Sequence, residues 1–150
     1  MRQRAALAMA LANQPRVLLA DEPTTALDVM IQAQIMELLE RLTAELGLAL
    51  VLVTHDLPLV VETCDRVAMM YAGRLVETGP AGSLYAASAH PYTRMLFAAT
   101  PSLDLDRRVA SLPGAPPRVD QEVVGCAFAP RCDRAETVCH TQAPRMTRMA

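Results

Sequence analysis

The chain has 150 residues, 52% of them apolar, and a formal net charge of −2; that size permits a well-buried core, and the charge balance lacks the basic excess of a nucleic-acid binder. All 14 basic residues are arginine, a bias assigned to the genome before function. No run approaches the roughly 18 apolar residues of a membrane span, and Met1–Ala12 lacks the flanks and cleavage site of a signal peptide.

In chain order, Arg2–Asn13 is Ala- and Leu-rich and predicts a helix ended by Gln14-Pro15. Arg16–Ala20 predicts a strand; its apolar run without alternation suits a strand covered on both faces, as in parallel sheets. Asp28 is placed to cap a helix reaching Leu46. Ile31, Ile35, Leu38, Leu39 and Leu42 share its apolar face, and Gly47 closes it. Ala49–Val53 predicts a second buried strand and Pro58–Cys64 a helix. Arg66–Tyr71, the turn Ala72-Gly73 and Arg74–Glu77 read as a hairpin. Met9, Met36, Met69 and Met70 read as core fillers, and Cys64 as a small buried hydrophobe. The alternation predicts an α/β layer with a mostly parallel sheet. Beyond Gly79, the series Pro80, Pro91, Pro101, Pro113, Pro116 and Pro117 precludes one regular element, with helices expected at Ser83–Ala87 and Pro91–Ala99.

The segment Val17-Leu18-Leu19-Ala20-Asp21-Glu22-Pro23 carries the chemistry, because an apolar strand runs directly into two carboxylates. Strand ends of parallel sheets hold functional groups. Extended backbone through both residues, favoured at Glu22 by the following proline, points the two carboxylates to opposite sides. One then faces a hard cation such as Mg2+ and the other a water. A solvated loop after a core strand is the competing reading of the dipeptide alone. Leu50-Val51-Leu52-Val53-Thr54-His55-Asp56 repeats the strand-to-polar-end design, with Asp56 available to cap the next helix.

Together these segments resemble the Walker B motif, D-loop and switch region of an ATP-binding cassette (ABC) transporter ATPase. The resemblance implies that Asp21 is the Mg2+-associated carboxylate and Glu22 the catalytic one. Thr25-Ala26-Leu27-Asp28 is then the D-loop, with Asp28 communicating across an ATPase dimer, and His55 is the switch residue near the γ-phosphate. His90-Pro91-Tyr92-Thr93, Leu112-Pro113-Gly114 and the cysteines beyond resemble the C-terminal extension of ATPase subunits of oligopeptide and dipeptide importers. The fold expected is thus the C-terminal part of a P-loop ABC ATPase domain over residues 1–78, followed by a proline-rich extension over 79–150. ATP and Mg2+ are the implied cofactors. The implied partners are a second ATPase subunit, membrane permease subunits and, indirectly, a peptide-binding protein, with no nucleic acid, at the cytoplasmic face of the cell membrane.

Two features bound this expectation. The chain has no G-x-x-x-x-G-K-[ST] loop to cradle phosphates and no lysine at all. Its opening Met1-Arg2-Gln3-Arg4-Ala5 resembles the tail of the family's signature motif, so the 150 residues alone are expected to lack ATP turnover and to expose apolar strand edges. Cys126, Cys132 and Cys139, spaced C-x5-C-x6-C, argue for metal or redox use over a disulfide framework. The resemblance implies a [4Fe-4S] cluster in some members, held by four cysteines, of which the fourth is not found here. The alternative function is a non-hydrolytic remnant or a small Fe-S or other metal-binding regulatory module.

Overall fold

The computed structural model describes residues 2–100, 111–118 and 120–148. Met1 of the opening segment and Pro101 of the proline series lie outside the described residues. The contacts divide the chain into two compact units at Asp56/Leu57.

In the first unit, α1 (Arg2–Leu11) precedes β1 (Val17–Asp21), α2 (Val29–Leu46) and β2 (Ala49–Val53). The 18 residues of α2 provide the long crossover that parallel pairing needs, and β1 and β2 pair parallel in register from Val17↔Ala49 to Asp21↔Val53. The start of α2 follows from Asp28, whose backbone is extended and whose carboxylate accepts the Ile31 N–H at 3.0 Å. Its end follows from Gly47, in the left-handed conformation at φ 60° with its N–H on the Thr43 carbonyl. Ile35, Met36 and Leu39 are buried along α2, Leu38 and Leu42 are half-buried, and Ile31 is exposed.

Burial on both faces of the strands is not what the structure has. Leu18 and Ala20 are buried, whereas Val17, Leu19, Val51 and Val53 on the opposite face are exposed, Leu19 by 74%. The run of apolar residues therefore overstated the cover: among the described residues one face of this strand pair stays open.

The second unit comprises α3 (Leu57–Thr63), the hairpin β3 (Arg66–Tyr71) and β4 (Arg74–Pro80), α4 (Ala81–Ala87) and α5 (Pro91–Ala99), then short 3-10 turns at Ala129–Arg131 and Thr137–His140. Ala72 and Gly73, at φ 47° and 74°, make the two-residue turn whose twist suits a hairpin. Its brevity forces antiparallel pairing, so the four described strands form one parallel and one antiparallel pair, not one mostly parallel sheet. Leu57, Val67, Met69, Ala81, Leu84 and Phe97 form the core of this unit.

Two methionines depart from the core reading. Met70 is 58% exposed because the strand's alternation buries Met69 and Tyr71 and turns the residue between them outward. Met9 is 78% exposed on α1, a helix without a sustained buried stripe. Cys64 is half-buried and follows the last residue of α3.

The Asp28 cap gives a direct test of the fold. Asp28→Ala is expected to lower stability by about 1 kcal/mol and Asp28→Asn by much less, read as a shift of the urea midpoint of the helical circular dichroism signal.

Candidate functional site

The parallel register sets the site. Because Asp21 lies opposite Val53, the residues that follow each strand emerge side by side at the same, C-terminal end of the pair. The Glu22 N–H extends the ladder by one bond to the Val53 carbonyl at 2.8 Å. One residue past Thr54, His55 Nδ1 meets Glu22 Oε1, also at 2.8 Å. The second carboxylate oxygen, Glu22 Oε2, accepts from the Thr25 hydroxyl at 3.0 Å.

Glu22 does not continue the strand. Its φ of 46° places it in the left-handed region, and this corrects the expectation of extended backbone through both carboxylates. A non-glycine residue there costs on the order of 1–3 kcal/mol. The chain must reverse at this point: the Thr25 N–H closes a turn on the Glu22 carbonyl at 3.1 Å, and the Leu27 N–H a second on Thr24 at 3.2 Å. The ladder bond before and the turn after override the preference that Pro23 imposes on its predecessor. Asp21 remains in β1, exposed on the same open face as Val17 and Leu19.

The contact between Glu22 and His55 is electrostatic as well as geometric. The hydrogen bond from His55 holds the Glu22 carboxyl below its ordinary range, assisted by Thr25 and by the charge of His55. In return the Glu22 carboxylate raises His55 above its ordinary value, first through the hydrogen bond and then through charge, with Asp56 adding to the charge effect. Nδ1 therefore donates and Oε1 accepts. The His55 side chain is 84% exposed and that of Glu22 34%, so solvent weakens the pair's contribution to folding. Behind His55, the Asp56 carboxylate accepts from the Gln32 side chain on α2 at 2.9 Å, and the Asp56 N–H donates to Thr54 Oγ1 at 3.1 Å.

Of the site residues expected from the sequence, the structure brings Glu22 and His55 into contact and sets Asp21 beside them in the chain. Asp28 is engaged as the helix cap. The parts that sequence reasoning missed are the Thr25 contact and the Gln32–Asp56 link. Pro23 carried a legible signal for the first, since proline is favoured at the second position of the turn that brings Thr25 back to Glu22.

The cysteines behave otherwise. Cys126, Cys132 and Cys139 are all half-buried free thiols bordering an open cavity of about 1060 Å3 in the second unit. The Cys126 N–H bonds the Cys139 carbonyl at 2.8 Å, and Gly125 permits that approach, because a Cβ there would lie 2.6 Å from the Cys139 oxygen. Yet no group of three or more His, Cys, Asp or Glu side chains among the described residues is arranged to hold a metal ion. The two segments are tied by their backbones, and Cys132 Sγ faces the Arg134 N–H at 3.3 Å.

Comparison with known proteins places these segments beside relatives. The family model described as the oligopeptide/dipeptide transporter C-terminal region matches residues 76–139, and one for an AAA domain of the AbiEii toxin type of Type IV TA systems matches residues 2–62. The dipeptide transport ATP-binding protein DppD of Escherichia coli is 48% identical over all of this chain and 46% of its own length. A Brucella melitensis protein bearing the name of a peptide import ATP-binding protein is 49% identical over 97% of this chain and 44% of its own. Over nearly its whole length the chain is similar to peptide-import ATP-binding proteins. Among solved structures, cbiO1 of Clostridium perfringens, part of the ABC transporter complex cbiONQ, aligns at a TM-score of 0.52 with 40% identity, over 55% of this chain and 33% of that one. The fold class is accordingly that of an ABC ATPase domain. The chain spans less than half the length of these curated relatives. Among the described residues no helix is long and apolar enough to cross a membrane.

The pair's pH dependence has a definite sign. Glu22, with its lowered value, contributes stability above its ordinary 4.5 that is lost as pH falls through the lowered value. His55, with its raised value, contributes below its ordinary 6.5 and loses that contribution as pH rises through the raised value. The pair is thus strongest between these two ordinary values. An NMR titration of the imidazole is expected to place His55 above its ordinary value and to bring it down in Glu22→Gln; an unchanged titration in that variant would refute the pairing.

Proposed function

We propose that the chain supplies the hydrolytic part of an ATP-binding subunit that energises import of oligopeptides or dipeptides across the cytoplasmic membrane. The observation that carries this reading is the Glu22–His55 contact at the adjoining C-terminal ends of two parallel strands. The names of the relatives support the transport class and the peptide cargo. In this reading residues 1–78 are the C-terminal part of the ATPase domain and 79–150 the peptide-importer extension.

Each residue then has one task. Asp21, exposed at the end of β1, offers the hard oxygen donors that Mg2+ prefers. Bound there with ATP, Mg2+ supplies neutralisation of phosphate charge. Glu22, kept ionised by His55 and Thr25, accepts a proton from the attacking water. His55 keeps Nε2 for the γ-phosphate while Nδ1 holds Glu22. Asp28, whose carboxylate is fixed on the first turn of α2, presents the D-loop to a second ATPase subunit. Membrane permease subunits, and through them a peptide-binding protein, complete the assembly at the cytoplasmic face. No iron–sulfur step is assigned to the cysteines.

Two measurements test the reading. In the complete subunit assembled with its partners, Glu22→Gln is expected to retain ATP binding and lose hydrolysis by about 10²–10⁴-fold; near-normal turnover would refute the role of Glu22. Iron and acid-labile sulfide in the anaerobically purified chain are expected at background level, and stoichiometric amounts of both would restore the cluster.

A further inference from the structure

We propose that Thr25 is a positioning residue for the hydrolytic reaction, its hydroxyl fixing the rotation of the Glu22 carboxylate about the contact with His55. The inference rests on the reading of Glu22 as the group that accepts a proton from water.

A glutamate carboxylate has little intrinsic preference for the orientation of its plane, since the terminal torsion is broad. One contact at Oε1, from His55 at 2.8 Å, leaves the plane free to swing about that oxygen. A second contact at Oε2, from Thr25 Oγ1 at 3.0 Å, removes the remaining freedom. Both donors meet an ionised acceptor, which makes the bonds charge-assisted. A carboxylate has about four lone-pair sites, so the sites left for water are confined to defined directions.

Thr25 is itself well held. Its N–H bonds the Glu22 carbonyl at 3.1 Å, so backbone and side chain of one residue grip the carbonyl and carboxylate of another. β-branching narrows the choice of χ1 that carries the hydroxyl to Oε2. On one side Glu22 is tied to Val53, and on the other Thr24 is buried and Asp28 is fixed as the cap of α2. Strand, turn and helix cap together determine where the hydroxyl sits. Proton transfer depends first on geometry, and a small misplacement of the accepting group is costly in rate.

The test uses Thr25→Val, which keeps the branched shape without the hydroxyl, and Thr25→Ser, which keeps the hydroxyl. In the complete subunit with its partners, Thr25→Val is expected to lower kcat for ATP about tenfold, with KM changed by less than roughly twofold, and Thr25→Ser to restore kcat. In the present chain, the carboxyl carbon resonance of Glu22 at one fixed neutral pH is expected to move in Thr25→Val and to return in Thr25→Ser. Glu22→Gln is assayed beside them. An unmoved resonance in Thr25→Val overturns the contact. If the resonance moves but Glu22→Gln still hydrolyses ATP, the hydrolytic reading fails and the positioning role with it. If Glu22→Gln is inactive but Thr25→Val keeps full kcat, the hydroxyl serves only the turn and the proposal is overturned. Failure of Thr25→Ser to restore kcat, or a parallel change in KM and melting temperature, overturns it as well.

Discussion

The in-register parallel pairing of β1 and β2 is the constraint on which the site depends. Neither Glu22 nor His55 lies in a strand, yet both positions are dictated by the ladder that ends at Asp21 and Val53. A slip of one residue would invert every side chain of one strand and carry the carboxylate away from the imidazole. That register is secured by burial of Leu18 and Ala20 on one face and by the crossover through α2, whose two ends are fixed by Asp28 and Gly47. Packing, helix capping and chemistry are therefore linked over a few residues: the turn that bends Thr25 back to Glu22 is followed at once by a second, and Asp28 then starts the helix.

A different kind of constraint organises the second unit. His90-Pro91-Tyr92-Thr93, distinctive in the sequence, starts α5 and at the same time joins separate segments of the unit. The imidazole of His90 accepts the Tyr92 N–H at 3.1 Å and so caps the helix, Pro91 occupies the first turn, and Thr93 is fully buried. Burial holds His90 below its ordinary value, with Glu77 opposing, and the neutral ring keeps the lone pair that capping requires. Glu77 also accepts the N–H groups of Ala89 and His90, which fixes the chain just before the helix. Tyr92 then packs against Tyr71 of the hairpin and Phe128 of the cysteine segment, with centroids 4.8 and 5.4 Å away. Arg131 completes the join through the Tyr71 hydroxyl and the Pro113 carbonyl. The motif is thus a structural clasp that holds the cysteine segment against the hairpin.

Much of this was legible because local rules and tertiary context agreed. The extent of α2, the Ala72-Gly73 turn and the start of α5 each rest on a capping or turn residue whose local preference the structure keeps. The readings that failed concern competition between levels. At Glu22 the preference imposed by proline lost to a ladder bond and a turn, neither of which can be seen without the partner strand. On β1 an unbroken apolar run described what the strand can bury, whereas actual cover depends on which elements lie over each face. Met69 and Met70 have the same composition but opposite environments, because pleating separates adjacent residues whatever their chemistry.

The left-handed turn at Glu22 also answers an electrostatic difficulty that the sequence poses. Two adjacent carboxylates at a strand end repel one another, and repulsion favours protonating one of them. A site that needs one carboxylate for a cation and another to accept a proton from water must keep both ionised. The structure separates the two by environment. Asp21 remains with the strand, open to solvent, while the chain turns Glu22 onto a histidine and a hydroxyl that each favour its charged form. Hydrogen bonds to an ionised group work against the conformational strain of the residue that carries it, to the extent that solvent does not screen them. The strain at Glu22 is accordingly the cost of giving neighbouring carboxylates different partners, opposed by the same contacts that orient its carboxylate.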